Sequence, residues 1–237
     1  MDTFLFDLDG TLLPMDQDKF VDVYFNGIAK KFAALGRDYK TLISMVWEGT
    51  MAMINNDGTM LNSERFWLTV GRTIGNDISE YETVFNDFYE NEFQKIKDVT
   101  KPSPLVKECV RILQEKGYRI VLATNPVFPR IATYSRIHWA GLVPEDFAWI
   151  TTYENSSYCK PNVKYFEEIL NKLGLIPNQC IMVGNDVTDD MSAEIIGIDT
   201  YLVTDCLINT KNKDIKRYKK GTMVDFLEYV KTLPKIK

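Results

Sequence analysis

The sequence predicts an α/β fold: a parallel sheet with helices on both faces and an α-helical bundle inserted near its start. Three observations carry that reading. After Lys101, short apolar runs alternate with amphipathic stretches, the pattern of parallel strands joined by helical crossovers. Over residues 14–100 apolar side chains recur at helical spacing. Ahead of them stands one apolar run, residues 4–13, with no partner strand nearby in sequence. That run has to join the later sheet, so the helical stretch reads as an insertion. The expected domains are residues 1–13 with 101–237 for the sheet core and residues 14–100 for the insert.

The first strand opens the run FLFDLDGTLL, residues 4–13, which carries two carboxylates, Asp7 and Asp9. A buried carboxylate is costly unless it is paired or metal-bound. The strand is therefore expected to end here, with both acids at its tip. In the insert, Phe20, Val21, Tyr24, Ile28, Phe32 and Leu35 define a helix over residues 20–35. Leu42, Ile43, Val46 and Met53 define a second over 39–54, stopped by NNDG at 55–58. Asn62 or Ser63 caps a third helix through Phe66, Trp67 and Val70. Asp77 opens a fourth through Ile78, Tyr81, Phe85, Phe88 and Phe93. Four helices with short links make a small bundle with an aromatic core.

The core resumes after KPSP, residues 101–104, with a helix over 105–116. Gly117 leads into the strand YRIVLA, 118–123, and a helix from Pro129 leads to AWITT, 148–152. A helix over 162–173, ended by Gly174, precedes QCIMVG at 179–184. A helix from about Asp189, the strand TYLVT at 200–204 and a helix over 222–230 follow. The run KNKDIKRYKK, 211–220, reads as solvated surface.

Composition narrows the function. A formal net charge of -5 argues against nucleic acid or an anionic membrane as partner. No stretch of 18 apolar residues is present, so no membrane span is expected. Cys109, Cys159, Cys180 and Cys206 lie far apart, and His138 is the single histidine, which argues against a zinc centre. Free cysteines without a basic-then-apolar leader favour the cytoplasm. Oligomeric state is open between monomer and homodimer.

In open α/β sheets ligands bind beyond the carboxyl ends of the strands. On that rule the residues to watch are Asp7 and Asp9 after the first strand, and Thr124 and Asn125 after YRIVLA. Asn185, Asp186, Asp189 and Asp190 follow QCIMVG, and Lys160 precedes the helix at Asn162. Carboxylates crowded together repel unless a cation intervenes. An all-oxygen set suits Mg2+. Lys160 would balance the negative charge of a ligand, and Thr124 offers a hydroxyl, so the set describes a phosphoryl site. A carboxylate can attack phosphorus and form an aspartyl-phosphate. A second carboxylate two residues on can protonate the leaving oxygen and then activate water. On a regular strand those two side chains share a face, and Gly10 permits a tight turn beyond them.

DLDGT at residues 7–11 resembles the first motif of the haloacid dehalogenase (HAD) superfamily. Thr124 after its apolar strand resembles the second, Lys160 in CKPN the third, and GNDVTDD at 184–190 the acidic fourth. The resemblance implies a Rossmann-like core, and the insert stands where that superfamily carries a mobile helical cap of type C1. Carried over by residue, Asp7 is the nucleophile and a magnesium ligand. Asp9 is the general acid/base and binds the metal through its carbonyl. Thr124 holds a phosphoryl oxygen, Lys160 steadies the nucleophile, and Asp186 is the later metal-binding acid. Asp190 supports Lys160 or a metal-bound water, with Asp189 as its substitute. Asn185 stands where some relatives have another acid, and Asn125 is a further supporting residue.

Dehalogenases of this superfamily lack the second acid, so Asp9 favours phosphoryl chemistry. The expected activity is magnesium-dependent hydrolysis of a small phosphorylated metabolite. The alternatives are a phosphotransferase or sugar-phosphate mutase, a phosphonatase, a dehalogenase or a non-enzymatic regulator. Lys19, Lys30, Lys31 and Lys40, the lysines a phosphonatase would draw on, read as surface residues of helices. Asn125, Arg130 and WEGTM at 47–51 are candidate substrate readers.

Overall fold

The structure, a computed structural model, describes residues 1–34, 36 and 38–236, with the backbone alone at Tyr39 and Asn76. Leu35, expected on the first helical stripe, lies outside the described residues.

The first strand, β1 (Thr3–Phe6), is completely buried. It runs between β2 (Arg119–Leu122) and β4 (Cys180–Gly184), parallel to both, with Phe4 opposite Ile120 and Ile181. With β3 (Trp149–Ile150), β5 (Asp199–Val203) and β6 (Lys219–Gly221) the sheet reads β3-β2-β1-β4-β5-β6, parallel throughout. A parallel sheet needs both faces covered, and strand alternation sorts the cover. Phe4, Phe6, Ile120, Leu122, Ile181 and Val183 join Val106 and Cys109 of α5 (Pro104–Glu115) and Phe226 of α8 (Met223–Thr232). Leu5, Val121 and Met182 face the other way, onto Tyr165, Phe166 and Ile169 of α7 (Val163–Leu173).

Between β1 and α5 lie α1 (Gln17–Ala34), α2 (Tyr39–Ile54), α3 (Asn62–Ile74) and α4 (Ile78–Glu90). Phe20, Tyr24, Ile28 and Phe32 are buried along α1, against Phe85, Phe88 and Phe93. Val21 stands off that stripe, 37% exposed. The two chain crossings meet: Met15 bridges Thr100, and the Lys101 amide donates to the Pro14 carbonyl at 2.8 Å.

Three local expectations are corrected. Asn62 does not cap α3. Leu61 is the cap residue, its amide bonded by Glu64, and the buried Asn62 side chain reaches the Pro126 carbonyl of the core at 3.2 Å. The fourth helix stops at Glu90, and Phe93 opens a separate 3-10 segment, Phe93–Val99. No α-helix starts at Asp189; a 3-10 segment, Met191–Ile196, fills the short space before Gly197, whose φ of +85° ends it. The lysine-rich run is mostly exposed, as expected, and it also ends in a strand, β6, whose lysines mark an exposed sheet edge. Among the described residues no helix is long and apolar enough to cross a membrane.

Candidate active site

The carboxyl ends of β1, β2 and β4 open into one cavity of about 160 Å³. Asp7, Asp9, Thr124, Asn125, Lys160, Asn185, Asp186, Asp189 and Asp190 all line it. Every catalytic, metal and supporting residue expected from the sequence is therefore brought to one place. Four residues not named from the sequence, Gln17, Val127, Phe128 and Ile208, line it as well.

Asp7 extends β1 by one hydrogen bond, its amide donating to the Val183 carbonyl at 2.9 Å. The strand geometry does not continue to Asp9. Leu8 is buried, and its carbonyl accepts from the amides of Thr11 and Leu13 at 3.2 and 2.8 Å, so the chain turns at once. The expectation that Asp7 and Asp9 share a strand face is thus corrected: they reach the same cavity but take different partners. Gly10 sits in this turn at a φ of +86°, and a Cβ there would stand 2.4 Å from Asn185 Nδ2. Asn185 ties the turn down by accepting from the Thr11 hydroxyl at 2.9 Å and donating to the Cys206 carbonyl at 2.7 Å.

Lys160 is 2% exposed and donates to Asp7 Oδ1 at 2.8 Å and Asp190 Oδ1 at 2.6 Å. Of the two neighbouring acids, Asp190 is the one that meets it. A Cβ on Gly184 would fall 2.1 Å from Asp190 Oδ2, so the bare backbone at the end of β4 gives that carboxylate its place. Burial alone would push the Lys160 ammonium down, but Asp190 and Asp7 hold it well above the ordinary lysine range. Burial raises Asp190 to about 7, against the pull of Lys160. Asp189, which accepts from Asn125 Nδ2 at 3.3 Å, is raised by burial to about 6. Asn125 also accepts from the Lys160 amide at 3.1 Å, so it positions the lysine loop. Asp186 accepts from the Thr188 and Asp189 amides through Oδ1, at 2.6 and 2.9 Å. The Thr124 carbonyl is fixed by the Thr151 and Tyr165 hydroxyls at 2.7 and 2.9 Å.

Asp9 turns instead to Arg136 on α6 (Arg130–Trp139), pairing through Oδ2. Burial raises the Asp9 carboxyl, with Arg136 opposing and Asp7 adding to the rise. Arg136 was not among the residues named from the sequence, although one signal was there. With Ala132, Thr133 and Ile137 it falls on the buried face of α6, where an arginine is unusual.

Among the described residues no group of three His, Cys, Asp or Glu side chains is arranged to hold a metal ion. The cavity gathers the carboxylates of Asp7 and Asp186 beside Asp9, whose carboxylate faces Arg136. Oxygen donors without nitrogen or thiolate fit a hard cation such as Mg2+.

A second cavity, about 240 Å³, shares Val127 with the first and reaches under the helical insert. Tyr24, Tyr89, Trp67, Tyr153 and Glu82 are among its walls. Val46 and Thr50 of α2 reach it, whereas Trp47 and Met51, expected as readers, are 54% and 38% exposed and line neither cavity. Arg130 likewise lines neither; its amide opens α6 by donating to Glu154 at 2.8 Å.

A protein-family comparison matches residues 1–197 to a model described as "Hydrolase: haloacid dehalogenase-like hydrolase". The phosphoglycolate phosphatase of Mesorhizobium japonicum is 25% identical over 199 residues, 84% of this chain and 81% of that one. The glyceraldehyde 3-phosphate phosphatase of Methanothermobacter thermautotrophicus is 26% identical over 137 residues, 57% of this chain and 58% of that protein. Among solved structures, the 2-haloacid dehalogenase of Pseudomonas syringae pv. Tomato aligns at a TM-score of 0.63 and 18% identity over 97% of this chain and 98% of its own, a likeness of fold. Four motifs at the ends of one parallel sheet and a family match spanning most of the sequence agree: the chain belongs to the haloacid dehalogenase-like hydrolase family.

Proposed function

We propose that the chain is a magnesium-dependent phosphatase that hydrolyses a small phosphate monoester through an aspartyl-phosphate on Asp7. The observation that carries this is the Asp7–Lys160–Asp190 cluster at the tip of β1, in one cavity with Asp9, Thr124 and Asp186. Lys160 holds one oxygen of Asp7 and leaves the other to attack phosphorus. The phosphorus–oxygen ester bond breaks, and the leaving alkoxide takes a proton from Asp9. Water then attacks the phosphorus of the aspartyl-phosphate, giving a proton to Asp9, and phosphate departs with Asp7 restored. Thr124 and Lys160 bond the transferring oxygens where negative charge develops. When bound, magnesium would be held by Asp7, Asp186 and the Asp9 carbonyl, and would offset the repulsion between the attacking carboxylate and the phosphate.

Residues 14–100 serve as the cap in this reading, and the leaving group occupies the second cavity. Glu82 is among its walls, and no lysine or arginine is found there among the described residues. That chemistry suits an uncharged leaving group better than a carboxylated one. Phosphate release is to be measured on p-nitrophenyl phosphate and a panel of alkyl and carboxylated phosphate esters, with magnesium and with EDTA. Turnover confined to the magnesium arm is expected. An inactive protein across the whole panel sinks the reading.

A further inference from the structure

We propose that Arg136 is the positioning residue of the acid/base Asp9, an inference that rests on the phosphatase reading. Arg136 is completely buried, and arginine rarely is unless its charge is met. Its guanidinium is held from several sides. Nε donates to the Ala132 carbonyl at 3.2 Å, Nη2 to the Thr133 hydroxyl at 3.4 Å, and Nη1 to Asp9 Oδ2. Its central carbon lies 4.3 Å from the centroid of the Phe128 ring, a cation–π contact. Phe128 in turn packs against Phe20 and Tyr24 of the insert and against Phe93. A planar fork fixed in this way has one orientation to offer a carboxylate.

The two oxygens of Asp9 differ accordingly. Oδ2 is clamped by Arg136, while Oδ1 is enclosed, with no hydrogen-bond partner among the described residues. Asp9 lies beyond the end of β1 in a turn, so strand geometry does not aim it. The arginine supplies that aim. Holding Oδ2 fixes the plane of the carboxyl group, and with it the direction in which Asp9 gives a proton to the leaving group and takes one from water. Arg136 itself does not line the cavity and touches no substrate.

The test reads the leaving group. kcat/KM covers steps up to the first departure of alcohol or phenol. p-Nitrophenolate leaves without a proton, whereas an alkoxide needs one. For Arg136→Met, kcat/KM on the best alkyl ester of the panel is expected to fall about 100-fold. The fall on p-nitrophenyl phosphate is expected to be under about 10-fold, the pattern Asp9→Asn also gives. Arg136→Lys should restore part of the alkyl activity. Equal losses on both esters, or none, overturn the proposal, since a merely structural arginine has no reason to discriminate leaving groups. Should Arg136→Met fail to fold, Arg136→Lys gives the same comparison, and an unchanged alkyl-to-nitrophenyl ratio there overturns it. A wild type inactive on every ester speaks against the phosphatase reading instead.

Discussion

At the scale of single residues, the site concentrates carboxylates that burial makes reluctant to ionise. Asp189 has its pKa raised from 3.8 to about 6 by burial. Between those pH values the folded chain keeps a proton that the unfolded chain has released. The native state therefore binds more protons, and stability falls as pH rises through that window. In metal-free protein, Asp189→Asn removes this loss. Urea denaturation in EDTA should find the variant more stable than wild type by about 2 kcal/mol at pH 7.5, and little different at pH 4. Asp190, raised to about 7, adds its own slope to both proteins and leaves the difference intact. Parallel stability curves would show that Asp189 is not desolvated as described. These acids were legible in GNDVTDD. The preference for Asp190 over Asp189 as the partner of Lys160 was legible as well; its physical cause, the space Gly184 leaves beside β4, was not.

At the scale of elements, the insert is fastened to the core at more than its two chain crossings. The start of α3 lies against core loops, with the Asn62 amide donating to Ser156 and the Ser63 amide to Tyr153, at 2.9 and 2.8 Å. The Asn62 side chain adds bonds to the Pro126 carbonyl and the Cys159 thiol, and accepts from Asn56 Nδ2 at 2.8 Å. Asn62→Ala leaves these buried groups unpaired, and urea denaturation should record a loss of about 1–3 kcal/mol. Faster amide exchange at Ser63 should accompany it; unchanged exchange would place the anchoring elsewhere. From sequence Asn62 looked like a helix cap because residue type and position both fit. Only the packing of α3 on the core reveals the second use. β6 was hidden for a related reason: three residues, two of them lysine, carry no apolar alternation, and an edge strand needs none. A turn was expected at Gly10, beyond a strand carrying both acids; it starts two residues earlier, at Leu8, because β1 ends at Phe6.

At the scale of the whole molecule, the parallel sheet and the run of helices between β1 and α5 were readable because each leaves a periodic signature. Apolar runs alternating with helices demand a sheet covered on both faces, and an unpartnered first strand demands the centre of it. The convergence of four distant segments followed from topology, since parallel strands place their carboxyl ends on one edge. Arg136 lay outside that rule: it comes from a helix face rather than a strand end, and its partner is defined only once α6 packs beneath the Asp9 turn. The central claim is that Asp7 is the nucleophile of a phosphoryl-transfer site. In Asp7→Asn, Lys160 keeps its bond to Asp190 and the backbone bond to Val183 persists, so the fold should stand. The most direct measurement is magnesium-dependent kcat on p-nitrophenyl phosphate for wild type and Asp7→Asn, with thermal denaturation alongside. A loss of about 1000-fold or more at a nearly unchanged melting temperature is expected. Activity within about tenfold of wild type in a folded Asp7→Asn protein would contradict it.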